Sequence, residues 1–177
     1  MNGFRRISVS VITVLLCAVT VPGTAEPAAA DETVVYLVRH AEKRPDATDP
    51  ALSTAGRERA RLLADLLAET GIDAIHSTDF RRTRDTAAPL AQRLGLPVSL
   101  YDADRPDALI ETIFRAGGRH LVVGHSNTVP ELVALLGGDG GPPIDEAEEY
   151  DRLYVVTRAD DDAARTELRR YGARFTP

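Results

Sequence analysis

Thr33-Val34-Val35-Tyr36-Leu37-Val38-Arg39-His40-Ala41-Glu42-Lys43 opens as a nearly unbroken run of β-branched and apolar side chains and ends abruptly in Arg-His and charge. An apolar run without alternation reads as a strand buried on both faces, the kind found in parallel sheets covered by helices. Open α/β sheets bind ligands beyond the carboxyl ends of their strands. The pattern therefore puts Arg39 and His40 at a ligand-binding edge.

The rest of the chain alternates helical and strand signals. Lys43, Arg44, Pro45, Asp46, Asp49 and Pro50 form a charged loop. Ser53 suits the N-cap of a helix through about Thr70, with Ala60, Leu63 and Leu67 on one face and Gly71 as its stop. A short strand over Ile72–Ile75 precedes Ser77 to Thr86, where Thr78 or Asp79 is expected to cap a second helix. That helix carries an apolar stripe of Phe80, Ala87, Leu90, Ala91 and Leu94, a kink is expected at Pro89, and Gly95 closes it. A third short strand is expected at Val98–Leu100 and a helix over Ala108–Ala116, ended by Gly117-Gly118. Leu121-Val122-Val123 reads as a compact buried strand, and Gly124-His125-Ser126-Asn127 turns into a helix with Val129, Leu132, Val133 and Leu136 facing inward. Pro130 is tolerated in the first turn of that helix. Leu153–Thr157 and Arg165–Tyr171 read as two final strands. This order predicts an α/β fold with a mostly parallel central sheet and helices on both faces, three layers in a single domain over 31–177.

The first thirty residues have a different character. Arg5 and Arg6 precede an apolar stretch from Ile7 to Val21, and small residues follow at Gly23-Thr24-Ala25 and Ala28-Ala29-Ala30. That is the pattern of a cleaved secretory signal peptide over 1–30. It implies a secreted or periplasmic protein that meets a membrane only if the signal stays uncleaved. The apolar stretch is short beside the roughly 17–25 residues a spanning helix needs. Cleavage after Ala30 removes Cys17, the only cysteine of the 177 residues, so disulfides, thiol nucleophiles and thiolate metal sites are excluded. The formal net charge of the full chain is −6, and no basic run accompanies it, which argues against nucleic acid as a partner. Any anion site has to be a local arginine cluster.

Three strand-to-helix transitions carry reactive or anion-binding side chains: Arg39-His40, Ser77 to Arg82, and His125. In a parallel sheet their ends converge on one edge. Arginine grips phosphate oxygens bidentately, and histidine is a nucleophile or acid–base group near neutral pH. His125 also precedes a helix whose free N–H groups favour an anion. A metal site on His40 and His125 lacks a third ligand at suitable spacing.

Leu37-Val38-Arg39-His40-Ala41-Glu42, Ser77-Thr78-Asp79-Phe80-Arg81-Arg82-Thr83-Arg84-Asp85-Thr86 and Val122-Val123-Gly124-His125-Ser126-Asn127 together resemble the histidine phosphatase superfamily, also called phosphoglycerate mutase-like. The resemblance implies that His40 is the nucleophile that becomes phosphohistidine. It also implies that Arg39 and Arg82 hold the phosphoryl oxygens and that His125 completes the pocket, with no metal and no cofactor. It points to an exported phosphatase acting on a phosphorylated small molecule or a phosphoprotein. The alternative is a phospho-ligand-binding protein that keeps the anion pocket and turns nothing over. The proton donor to the leaving oxygen has no clear match; Glu42 is the tentative acid, with Asp102, Asp104 and Asp107 as other candidates. Arg81 and Arg84 read as solvated charges, Ser77 as a turn residue, Asn127 as a helix cap, and His76 and His120 as packing or surface histidines.

Overall fold

A computed structural model describes residues 32–45, 48–159 and 163–176; the segment read as a signal peptide and Cys17 lie outside them. Six strands, β1 (Thr33–Arg39), β2 (Ala74–Ser77), β3 (Val98–Leu100), β4 (Arg119–Gly124), β5 (Arg152–Arg158) and β6 (Arg165–Arg170), form one sheet in the order β3-β2-β4-β1-β5-β6. The β3, β2, β4 and β1 strands run parallel, while β5 and β6 add antiparallel at the β1 side. The expected mostly parallel α/β/α architecture is what forms.

Every residue of β1 is buried, and its side chains divide strictly by parity. Val34, Tyr36 and Val38 pack with Leu63, Ala64 and Leu67 of α1 (Thr54–Leu67) and with Ala87, Leu90 and Ala91 of α2 (Arg81–Leu94). Val35 and Leu37 pack with Leu109, Ile110 and Ile113 of α3 (Pro106–Ala116) and with Val129, Leu132 and Val133 of α4 (Thr128–Leu135). A strand with helices on both faces can spare no alternate position for water, which explains its unbroken apolar sequence. Fully buried leucines such as Leu37 and Leu121 each contribute roughly 1.5–3 kcal/mol through burial.

Several local expectations need adjusting. Ser53 does cap α1, its hydroxyl accepting from Gly56 N–H at 3.0 Å, but the helix ends at Leu67 and a turn carries the chain to Gly71. Neither Thr78 nor Asp79 caps α2. Phe80 is the capping position and offers no side-chain acceptor, so the first N–H, on Arg81, is satisfied by the carboxylate of Asp49 at 2.9 Å. Phe80 also leaves the inward stripe and is 40% exposed. α2 continues through Pro89. Pro106 starts α3 two residues earlier than expected, where its missing N–H costs nothing.

Candidate active site

The parallel strands β2, β4 and β1 are neighbours, and their carboxyl ends lie level. Arg39 pairs with Gly124 and Ser77 with Val123, and His40 N–H donates to the Gly124 carbonyl at 2.9 Å. His40 after β1, His125 after β4 and Arg82 in the first turn of α2 therefore meet at one edge. They line a cavity of about 480 Å³ together with Arg39. Lys43, Phe80, Ser126, Asn127 and Glu146 complete its walls.

His40 is 3% exposed, and its ring centroid lies 5.5 Å from that of His125. Its Nδ1 is 2.9 Å from the Ala41 carbonyl. A carbonyl can only accept, so Nδ1 carries the hydrogen and Nε2 keeps its lone pair. Burial pushes the His40 imidazolium down to about pKa 3; the Ala41 hydrogen bond opposes this, and the positive charges of Arg39 and Arg82 reinforce it. The ring is thus a free base at neutral pH.

Arg39, 2% exposed, is held by the loop before β5. Its Nη1 donates to the carbonyls of Asp145 and Glu149, both at 2.9 Å, and Nη2 donates to that of Glu146 at 2.5 Å. Its guanidinium also stacks on Tyr150, 4.0 Å from the ring centre. Its Nε–H is buried without a partner, a donor left for an oxyanion oxygen. The loop itself is fixed by the buried Glu149, whose carboxylate accepts from Asp145 N–H, Arg152 and Arg170.

Arg82 lies 4.3 Å over the Phe80 ring, and its Nη1 is 3.8 Å from Asp49. Its Nε is likewise buried without a partner. The Arg82 Nη2 approaches His125 Nδ1 at 3.4 Å. Because arginine only donates, Nδ1 is an acceptor and the His125 hydrogen sits on Nε2, which donates to Thr78 Oγ1 at 3.0 Å. Thr78 passes its own hydrogen to Thr83 Oγ1 at 3.0 Å, and Thr83 donates to the carbonyls of Thr78 and Phe80. This relay fixes the tautomer of His125. Burial, then Arg82 and Arg39, push its pKa down to about 4. Two neutral histidines and two guanidiniums with unspent donors make a compact site for an oxyanion.

Glu42 does not join them. Its carboxylate is gripped by Arg59, with Nε at 3.0 and 3.1 Å and Nη2 at 2.8 Å, and Arg59 in turn donates to the carbonyls of Tyr171 and Ala173. The ion pair ties the loop after β1 to α1 and to the C-terminal segment, so the acid expected at Glu42 is corrected to a structural carboxylate. Asp102 and Asp104, Asp107 line other cavities. Arg81 pairs with Asp85 and Arg84 with Asp79 on the surface. Ser77 donates to the Thr78 carbonyl, a local turn bond. Asn127 is the first residue before α4 but makes no capping bond and faces the cavity. His76 and His120 are buried against each other, Nε2 to Nδ1 at 3.1 Å. Glu146, Lys43 and Phe80 in the lining and the Thr78–Thr83 relay behind His125 are neighbours that sequence reasoning did not single out as site residues.

The family model described as Histidine phosphatase superfamily (branch 1) matches residues 35–103. No curated protein matches the sequence. Among solved structures, the protein histidine phosphatase SixA complexed with tungstate is 22% identical, covers 76% of this chain and 94% of its own, and superposes with a TM-score of 0.62. A mycobacterial glucosyl-3-phosphoglycerate phosphatase is 18% identical, covering 81% of this chain and 100% of its own at a TM-score of 0.61. A protein described as mycobacterial hydrolase 2 is 17% identical, covering 77% and 89% at 0.62. At these identities the likeness speaks for the fold.

Proposed function

We propose that this chain, whose residues 35–103 match the histidine phosphatase superfamily (branch 1) model and whose fold is shared with a protein histidine phosphatase, is a phosphatase working through a covalent phosphohistidine on His40. The observation that carries the reading is the pairing of a free Nε2 lone pair on His40 with the unspent Nε–H donors of Arg39 and Arg82 around one cavity. The transferring phosphoryl group spreads negative charge over three oxygens, and fixed guanidiniums stabilise it where it develops. His40 Nε2 attacks phosphorus, the ester or phosphoramidate bond breaks, and the leaving group departs; water then releases inorganic phosphate and returns the electron pair to Nε2. His125, neutral and donor-fixed through Thr78, sits beside the same oxygens and accepts no proton from solvent near neutral pH.

The positive charge for the step comes from arginine in this reading, so no metal or cofactor takes part. Substrates are phosphorylated small molecules or phosphoproteins; the tungstate-bound protein histidine phosphatase and the glucosyl-3-phosphoglycerate phosphatase exemplify both sorts in this fold. The chain is exported, its segment 1–30 acting as the signal, and amino-terminal sequencing of the processed protein is expected to start near Asp31. Hydrolysis of p-nitrophenyl phosphate tests the core of the proposal. The parent is expected to turn over undiminished in excess chelator, and His40→Ala to lose at least about 10³-fold in kcat. Phosphate binding without turnover would favour the binding-protein alternative, and chelator-sensitive turnover would remove metal independence.

A further inference from the structure

With Glu42 locked to Arg59, the leaving-group proton needs another source. Among the described residues, Glu146 is the one carboxylate that lines the cavity with His40, Arg39 and Arg82. Its backbone is held there, since its carbonyl accepts from Arg39 Nη2 at 2.5 Å, while its side chain is exposed. In-line displacement puts the leaving oxygen on the side of phosphorus opposite the attacking nitrogen. His40 is 3% exposed while Glu146, in the same lining, is exposed, so a leaving oxygen opposite the attacking nitrogen is directed from the buried side of the lining toward the exposed one. The nearest competitor, Asp49, has both oxygens on Arg81 N–H at 2.9 and 3.1 Å and faces Arg82 at 3.8 Å, a helix-capping and orienting position outside the cavity lining.

We propose that Glu146 is the general acid and then the general base of the reaction, a role that rests on the phosphatase reading above. In the first step His40 Nε2 forms the P–N bond, the P–O bond to the ester breaks, and its electron pair is captured by the proton of the Glu146 carboxyl group, giving the free alcohol. In the second step the Glu146 carboxylate takes a proton from water. The water oxygen bonds to phosphorus, the P–N pair returns to Nε2, and inorganic phosphate leaves with Glu146 protonated again. The loop from Asp145 to Glu149 then does two tasks: its carbonyls aim Arg39 and its first glutamate handles the proton.

The test compares Glu146→Gln with the parent across phosphate monoesters of graded leaving-group basicity, from p-nitrophenyl to simple alkyl, reading kcat/KM, which covers binding and phosphorylation and leaves out the later hydrolysis of the phosphoenzyme. A general acid contributes about 10²–10⁴-fold where the leaving group needs a proton. Glu146→Gln is expected to lose that much on the alkyl ester and less than about tenfold on the nitrophenyl ester, steepening the dependence. Glu148→Gln, on the same turn but outside the cavity lining, is expected to follow the parent throughout. Parallel lines for Glu146→Gln and the parent, or the steepening appearing in Asp49→Asn instead, would overturn the assignment. A parent that forms no acid-labile label on His40 would overturn the phosphatase reading itself, a failure visible before any glutamate variant is compared.

Discussion

Replacing Glu149 with glutamine probes how the Arg39 guanidinium is held in place. The Glu149 carboxylate, 2% exposed, accepts Arg152 Nε at 2.7 Å and Arg170 Nη1 at 3.0 Å on Oε1. Its Oε2 accepts Arg152 Nη2 at 2.8 Å and Asp145 N–H at 3.0 Å. Glutamine keeps one acceptor but turns an N–H toward a donor and leaves Arg152, 6% exposed, without its counter-charge. Removing one partner of a buried pair costs about 3–5 kcal/mol. Here the lower end applies, because Arg170 retains Asp151 at 2.7 Å and Arg152 retains the Pro142 carbonyl and Tyr154 hydroxyl. A loss of about 3 kcal/mol corresponds to roughly 6–12 °C in Tm for a domain of this size. With about 5–15 kcal/mol of total stability the variant still folds. The consequence for function follows from the loop: the Asp145, Glu146 and Glu149 carbonyls that aim Arg39 lose their anchor. Charge-assisted hydrogen bonds contribute about 1.5–3 kcal/mol each, so loosening one is expected to weaken competitive inhibition by inorganic phosphate about tenfold or more. Thermal unfolding and phosphate inhibition measured together check this. A Tm within 2 °C of the parent with unchanged phosphate inhibition would refute the claim that Glu149 holds the clamp.

Thr78→Val removes the acceptor of the His125 Nε2–H with little change of shape, and a net hydrogen-bond contribution of about 0.5–1.5 kcal/mol predicts a fall in kcat of roughly two- to thirteenfold with an unchanged urea m-value. Gly56→Ala directs a Cβ to 2.1 Å from the Glu42 carbonyl oxygen, a backbone contact with nowhere to go, so urea unfolding should show at least about 1–3 kcal/mol of lost stability. Burial, with the neighbouring His120 second, lowers His76 from 6.5 to about 4. A histidine depressed in the folded state contributes stability that is whole above its unfolded pKa and is lost as pH falls from about 6.5 toward 4. His40 and His125, lowered likewise, add to the fall of the parent Tm across that window, and His76→Gln should remove only its own share, the equivalent of up to about 3 kcal/mol.

The site's skeleton was readable in the sequence because each part had a backbone signature. An unalternating apolar run fixed β1 as central, and the positions immediately after β1 and β4 put His40 and His125 side by side once the two strands paired. Arg82 was readable for the same reason, one turn into the helix after β2. The remainder was hidden by the kind of atom that does the work. Arg39 is aimed by three main-chain carbonyls of the Asp145–Glu149 loop, and a carbonyl belongs to every residue, so no side-chain pattern announces it. Thr78 looked like a helix cap because threonine favours caps, yet its hydroxyl is spent on His125 and Thr83, and Asp49 caps the helix from 32 residues away. Glu42 lies two residues past His40, but the chain turns after Ala41 and delivers it to Arg59, 17 residues on. Nearness in sequence pointed to a carboxylate that the fold binds to Arg59.

Single-turnover labelling with a phosphate monoester, quenched in alkali and mapped to the phosphorylated atom, bears most directly on the account. Because Nδ1 of His40 is committed to the Ala41 carbonyl, the phosphoryl group is expected on Nε2, acid-labile and alkali-stable, and absent from His40→Ala. A phosphoryl group on Nδ1, on another residue, or on nothing during turnover would contradict it.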